Sequence, residues 1–190
     1  PDGRALAYAE YGAPDGKPVF YFHGVPGSRL EPAMLDSADL EKAGIRLIAC
    51  DRPGMGNSGF QPGRGLGDWP ADVVALADGL GLGKFGILGV SGGSGYVAAC
   101  AHRIPDRLSA AVIVSGAGQM DSPEVRAGMP FMGWLLWWIA ARSVRLAGVL
   151  LGATKPPDLS DPEKIRQQVK RTMPPGEAAV FDRPGRLEAL

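Results

Sequence analysis

Three apolar runs, each breaking into a glycine-rich loop, constrain this chain more than any other feature. Residues 18–22, "PVFYF", lead into "HGVPGS"; residues 45–50, "IRLIAC", lead into "DRPGMGNS"; residues 84–90, "KFGILGV", lead into "SGGSG". The runs are short and rich in β-branched and aromatic residues, as buried strands are. Between them lie segments of helical length. Residues 33–43 predict a helix closed by Gly44, and "WPADVVALADGL" predicts another, with Asp68 as its cap and Pro70 in its first turn. A helix from the third loop to about Ile104, stopped by Pro105, and a strand around 107–116 continue the rhythm. Residues 4–11, "RALAYAEY", alternate like a half-exposed strand. Strands alternating with helices at this spacing imply crossover connections and an α/β fold with a mostly parallel, doubly wound sheet. Loops at the carboxyl ends of such strands carry function, so three segments converge on one rim.

After Gly118 the pattern changes. Residues 122–190 show helical periodicity and proline-rich breaks without a convincing strand. The expected division is a core over 1–120 and a helical cap over 121–190. Phe131, Trp134 and Trp138 recur at helical spacing. They fit a helix packing its own core or a lid lining an apolar substrate pocket, with Trp134 and Trp138 as the pocket candidates.

Bulk composition narrows the function classes. Lys+Arg and Asp+Glu number 20 each, so no basic excess invites nucleic acid. The apolar stretch 130–151 is interrupted by Arg142 and Arg145, which argues against a membrane span. Cys50 and Cys100 belong to no metal-binding spacing and are too few for a disulfide framework. Two buried thiols in a reducing, cytoplasmic compartment are expected, and the chain opens on the polar turn "PDGR" without a signal-peptide pattern.

Gly89-Val90-Ser91-Gly92-Gly93 fits G-x-S-x-G between a strand and a helix. The turn there is sharp enough to strain the serine backbone, and bulk at Gly89 or Gly93 would clash. The helix that starts here aims its free N–H groups at the reacting oxygen. His23-Gly24-Val25 follows the first of the three runs, and its backbone N–H groups can face the same cleft. Acyl transfer needs donors where charge develops on the carbonyl oxygen. The N–H groups of Val25 and Gly92 are the expected pair, with His23 and Gly24 bracing the loop.

"HGVPGS", "DRPGMGNS" and "GVSGGSG" in this order, with "LGDWPADVVALADGLGLGKFGILG" before the last, resemble the α/β-hydrolase superfamily, and more narrowly its capped esterase-like or peptidase-like members. The resemblance covers residues 1–120 closely and the remainder loosely. It implies Ser91 as nucleophile, Val25 and Gly92 as oxyanion-hole residues, a small-molecule substrate, and no metal or organic cofactor. An aspartate nucleophile, as in related dehalogenases, is disfavoured because the elbow holds Ser91. Asp51 and Arg52 read as structural residues of a loop near the site, which also holds Ser58.

The resemblance also implies an acid and a histidine later in the chain. His23 and His102 are the only histidines. His102 lies 11 residues past Ser91, roughly 16 Å along a helix at 1.5 Å per residue, whereas a general base needs about 3 Å. Asp121 stands where some members carry their acid. The expectation is therefore a piece of a longer protein: a serine hydrolase acting on carboxylic esters or related acyl bonds, inactive without its missing acid and histidine. A non-catalytic binding protein of the same fold, and an aminopeptidase or carbon–carbon hydrolase, are the alternatives. Oligomeric state is left open.

Overall fold

Alternation along each apolar run sends successive side chains to opposite faces of a sheet, and the runs form strands accordingly. The computed structural model describes residues 2–118 and 122–152, together with Lys164, Gln167 and Arg171. Strands β1 (Tyr8–Gly12), β2 (Lys17–Phe22), β3 (Ile45–Cys50), β4 (Phe85–Val90) and β5 (Leu108–Val114) make one sheet in the order β1-β3-β2-β4-β5. β1 pairs antiparallel with β3, and the other pairings are parallel. Helices α1 (Ser37–Lys42), α2 (Trp69–Gly79) and α3 (Ser94–Arg103) connect them.

The two faces have different cores. Phe20 and Phe22 of β2 point to one face, where they join Ile48, Cys50, Phe85 and Ile87 under Trp69, Val73 and Ala77 of α2 and Val97 and Cys100 of α3. Tyr21 points to the other face and packs with Leu47, Ala49 and Leu40 of α1. The sheet is thus wound on both sides. Edge-to-face ring pairs, Phe20 with Phe85 at 4.8 Å and Phe22 with Trp69 at 5.5 Å, lock the first face.

Three local expectations are corrected. The strand read over 4–11 begins only at Tyr8. Residues before it are held by the loop after β3 instead: Asp51 N–H donates to Ala7 O, Gly59 N–H to Ala5 O, and Ala7 N–H to Ser58 Oγ. The helix read over 33–43 is a 3₁₀ turn at Glu31–Met34 followed by α1, whose cap is Asp36, accepting from Ala38 N–H at 2.9 Å. Asp68 does not cap α2; it sits in helical conformation and its carboxylate accepts from Gly65 N–H at 2.7 Å, closing the 3₁₀ turn that precedes the helix.

β5 is an edge strand whose residues after Leu108 are exposed. Among the described residues no strand pairs with its outer side.

The chain divides into two compact units, one reaching Ala117 and the other starting at Gly118. The second contains α4 (Pro123–Gly128), α5 (Phe131–Arg142) and α6 (Val144–Gly152). Phe131, Trp134 and Trp138 form a stripe on α5, with ring centroids 5.9 and 6.3 Å apart in succession. No residue of α5 is buried, so the stripe does not close a core of its own among the described residues. None of the described helices is long and apolar enough to cross a membrane.

Candidate active site

Strand order creates the site. β2 and β4 are neighbours, with Phe22 paired to Gly89. The chain leaves β2 toward β3 and leaves β4 toward β5. A crevice opens at the carboxyl ends of two strands whose connections diverge in this way, and the loops at its lips are His23–Gly27 and Ser91–Gly93.

Ser91 has φ +48°, a conformation that costs a non-glycine residue about 1–3 kcal/mol and persists only where its surroundings impose it. The chain passes from extended Val90 through a single 3₁₀ turn, Ser91–Gly93, directly into α3. Glycines make this compression possible. A Cβ on Gly89 would stand 2.6 Å from Val97 Cγ2, and one on Gly93 would run into the Phe22 carbonyl oxygen. The segment after β5 ties down the far side: Ala117 N–H donates to Ser91 O at 3.4 Å, and Ser94 Oγ donates to Ala117 O at 3.2 Å. The Ser91 side chain is left exposed.

The loop after β2 lies directly against this turn. A Cβ on Gly92 would be 3.4 Å from Val25 N and 2.7 Å from Val25 Cγ2, and one on Gly24 would be 3.7 Å from Ser91 Cβ. Val25 N–H makes no hydrogen bond to the described residues. Ser91, Gly24, Val25 and Gly92 are therefore brought together.

Buried charge holds the loop in place. Arg52, 2% exposed, donates from Nη1 to His23 O at 2.6 Å and from Nη2 to Gly24 O at 2.8 Å. Its guanidinium stacks 4.9 Å from the Tyr96 ring centroid. His23 is fully buried, and its Nδ1 lies 2.9 Å from Gly24 O. A carbonyl only accepts, so Nδ1 carries the proton of this bond. Burial, then the Arg52 charge, push the His23 pKa down. Glu31 accepts Gly24 N–H at 2.8 Å. Behind the loop, the Asp51 carboxylate accepts Arg29 N–H at 2.7 Å, Asn57 N–H at 3.0 Å and the Arg29 guanidinium. Burial would raise the Asp51 pKa, but these donors outweigh it and hold the carboxyl below its ordinary value. Ser58 joins this loop by donating to Asp51 O at 2.7 Å.

His23 stays within the loop after β2, its ring buried and bonded to Gly24 O. His102 is exposed in the last turn of α3. Asp121 lies outside the described residues. Trp134 lines an open groove of about 520 Å³ within the second unit, with Arg126, Met129 and Phe131, and Trp138 carries the Arg142 guanidinium 4.1 Å from its ring centroid. Glu31 and Arg29 escaped the sequence reading, because nothing in "GSRLEP" signals that one carboxylate returns to Gly24 and that one guanidinium meets Asp51. Among the described residues no group of three or more His, Cys, Asp or Glu converges as metal ligands would.

The family model described as "alpha/beta hydrolase fold" matches residues 17–186. A non-heme chloroperoxidase of Streptomyces lividans is 38% identical over 122 residues, 60% of this chain and 42% of its own length. A proline iminopeptidase of Xylella fastidiosa is 32% identical over 117 residues, 59% of this chain and 36% of its own. A bifunctional esterase/perhydrolase of Acinetobacter calcoaceticus is 32% identical over 121 residues, 60% and 42%. The matched parts thus span less than half of these relatives. Two solved structures show the same fold. A thermophilic esterase from Thermogutta terrifontis has a TM-score of 0.60 at 23% identity, covering 98% of this chain and 65% of its own. A hydrolase from Pseudomonas aeruginosa has a TM-score of 0.57 at 19% identity, covering 95% and 63%.

Proposed function

Since this chain belongs to the α/β-hydrolase family, we propose that it contributes the nucleophile and the oxyanion site of a serine hydrolase acting on carboxylic esters or related acyl bonds of small apolar substrates. One observation carries the reading: Ser91 is held at φ +48° on an exposed strand-to-helix turn, beside a loop whose Val25 N–H has no partner among the described residues. A binding protein has no use for a serine strained in this way. Ser91 Oγ loses its proton to the base and attacks the acyl carbon, the N–H groups of Val25 and Gly92 take the oxyanion, the leaving alcohol departs with that proton as its bond to the acyl carbon breaks, and water then hydrolyses the acyl-enzyme to free Ser91 and the carboxylic acid.

The base is proposed to be a histidine outside these 190 residues, oriented by an acid. The two histidines present do not fit that role, since His23 is buried against Gly24 O and His102 is exposed at the far end of α3. The 190 residues alone are accordingly inactive. The helices after Gly118 are proposed as a cap, with Trp134 and Trp138 offering apolar surface to the substrate. Cys50 and Cys100 are free and buried, which suits a cytoplasmic location.

The test uses the whole protein, residues 1–190 with whatever the encoding gene adds. A fluorophosphonate probe should form one covalent adduct, mapped by peptide mass spectrometry to Ser91 and abolished in S91A. A folded whole protein that stays unlabelled at Ser91 would refute the serine mechanism and favour a binding protein of the same fold.

A further inference from the structure

Arg52 is an expensive residue for a merely structural bond. Arg52 is 2% exposed, and among the described residues no carboxylate lies within 4.0 Å of its guanidinium. Desolvating a cation without a direct partner costs several kcal/mol in order of magnitude, so what it touches matters. Besides Met55 Sδ and the Tyr96 ring, it touches two consecutive carbonyls, those of His23 and Gly24.

Each carbonyl belongs to a peptide group whose N–H points the other way. The 23–24 peptide has Arg52 on its oxygen and Glu31 on its N–H. This peptide therefore lies between a cation and an anion and is fixed in orientation. The 24–25 peptide has Arg52 and the His23 Nδ1–H on its oxygen, while its N–H, that of Val25, has no hydrogen-bond partner among the described residues and lies beside Gly92. Hydrogen bonds from an ionised donor are roughly twice as strong as neutral ones. Chains of hydrogen bonds through one peptide strengthen each other by about 10–30% per bond. Positive charge placed on Gly24 O therefore makes Val25 N–H a better donor.

We propose that Arg52 is a positioning residue of the oxyanion site, which orients the 24–25 peptide and polarises it so that Val25 N–H binds a developing negative charge more strongly than a neutral carbonyl. This rests on Ser91 being the nucleophile and Val25 an oxyanion donor. The charge is delivered without a cationic side chain in the cleft. A lysine or arginine at the rim would bind anionic ground states as well as transition states, whereas a charge relayed through one peptide acts along the direction of that N–H.

The test compares wild type, R52M and R52K in the whole protein, by the second-order rate of fluorophosphonate labelling at Ser91 and by kcat and KM for p-nitrophenyl butyrate. R52M should lower both the labelling rate and kcat about tenfold or more, with KM within about threefold. R52K keeps the charge but loses the two-carbonyl fork, and should recover part of the loss. A loop that had simply lost its shape would raise KM as well and would not respond to lysine. Near-UV circular dichroism and cooperative unfolding establish that each variant is folded. If R52M does not fold, R52K decides, and its labelling should be about three- to tenfold slower than wild type. A folded R52M or R52K that labels within twofold of wild type overturns the role of Arg52 while leaving Ser91 in place. A wild type that is not labelled overturns the serine reading itself, and this inference with it.

Discussion

Gly93 and Gly24 flank the same serine, yet they should respond oppositely to one methyl group. At Gly93 the methyl would collide with the Phe22 carbonyl oxygen and stand 3.2 Å from that of His23. Both are backbone atoms at the end of a central strand, which has no room to withdraw. G93A should therefore destabilise the fold by about 3 kcal/mol, at the upper end of overpacking costs. At Gly24 the nearest atoms are 3.6 to 3.9 Å away, which is ordinary contact, and φ is not in the left-handed region. G24A should leave the melting temperature unchanged or slightly raised, while its methyl, aimed at Ser91 Cβ, slows labelling of that serine. Thermal unfolding and labelling rates of the two variants check this, and equal melting temperatures would contradict it. The glycines around Ser91 were legible in the sequence because the G-x-S-x-G constraint is local. The partners of Gly24 were not. Arg52 reaches it across 28 positions and Glu31 across seven, and no spacing rule encodes contacts made by folding two loops together.

At the scale of elements, the strands were the legible part. β3 runs over 45–50 as read, and β2 and β4 differ from their readings by one residue each, because continuous apolar runs closed by glycine leave few alternatives. Elements whose partners are loops were less legible. Residues 4–7 alternate like a strand but find their hydrogen bonds in the loop after β3, and Asp68 serves the turn before α2 rather than the helix itself. The two loops at the ends of β2 and β3 also predict how stability depends on pH. His23 has its pKa pushed below the ordinary 6.5. On acidification the unfolded chain therefore takes up this proton first, so stability is full above about pH 7 and declines as pH falls from 6.5 toward the folded value. Asp51 has its pKa held below the ordinary 3.8; its contribution is present above about pH 4 and is lost as pH falls through the folded value. Urea midpoints of the whole protein should decline in two stages. H23Q should flatten the first and D51N the second. A midpoint independent of pH between 7 and 5 in wild type, or unaltered by H23Q, would contradict the assignment.

For the molecule as a whole, the decisive surface is the far side of β5. β1, at the opposite edge, is short and carries Glu10, which is paired to Arg46. β5 is seven residues long and bears Val112, Ile113 and Val114 at 45–50% exposure, and among the described residues its outer edge is unpaired. A long, apolar edge strand offers unpaired N–H and C=O groups together with a hydrophobic face, and natural proteins cover such edges or charge them. The exposed aromatics of the second unit, Phe131 and Trp137, add to the apolar surface open to association. Residues 1–190 produced by themselves should therefore self-associate. Sedimentation velocity should show a weight-average mass that rises with concentration, and unfolding should lack a single cooperative transition. Placing a charge on the edge strand tests whether β5 is responsible. I113K should shift the distribution toward monomer, since a lysine on an edge opposes strand addition, whereas a lysine at Ala98, on the exposed side of α3, should leave it unaltered. A monodisperse wild-type monomer that unfolds cooperatively would show that this edge is not a liability. Association untouched by I113K would move its origin away from β5, to the aromatic surface of the second unit.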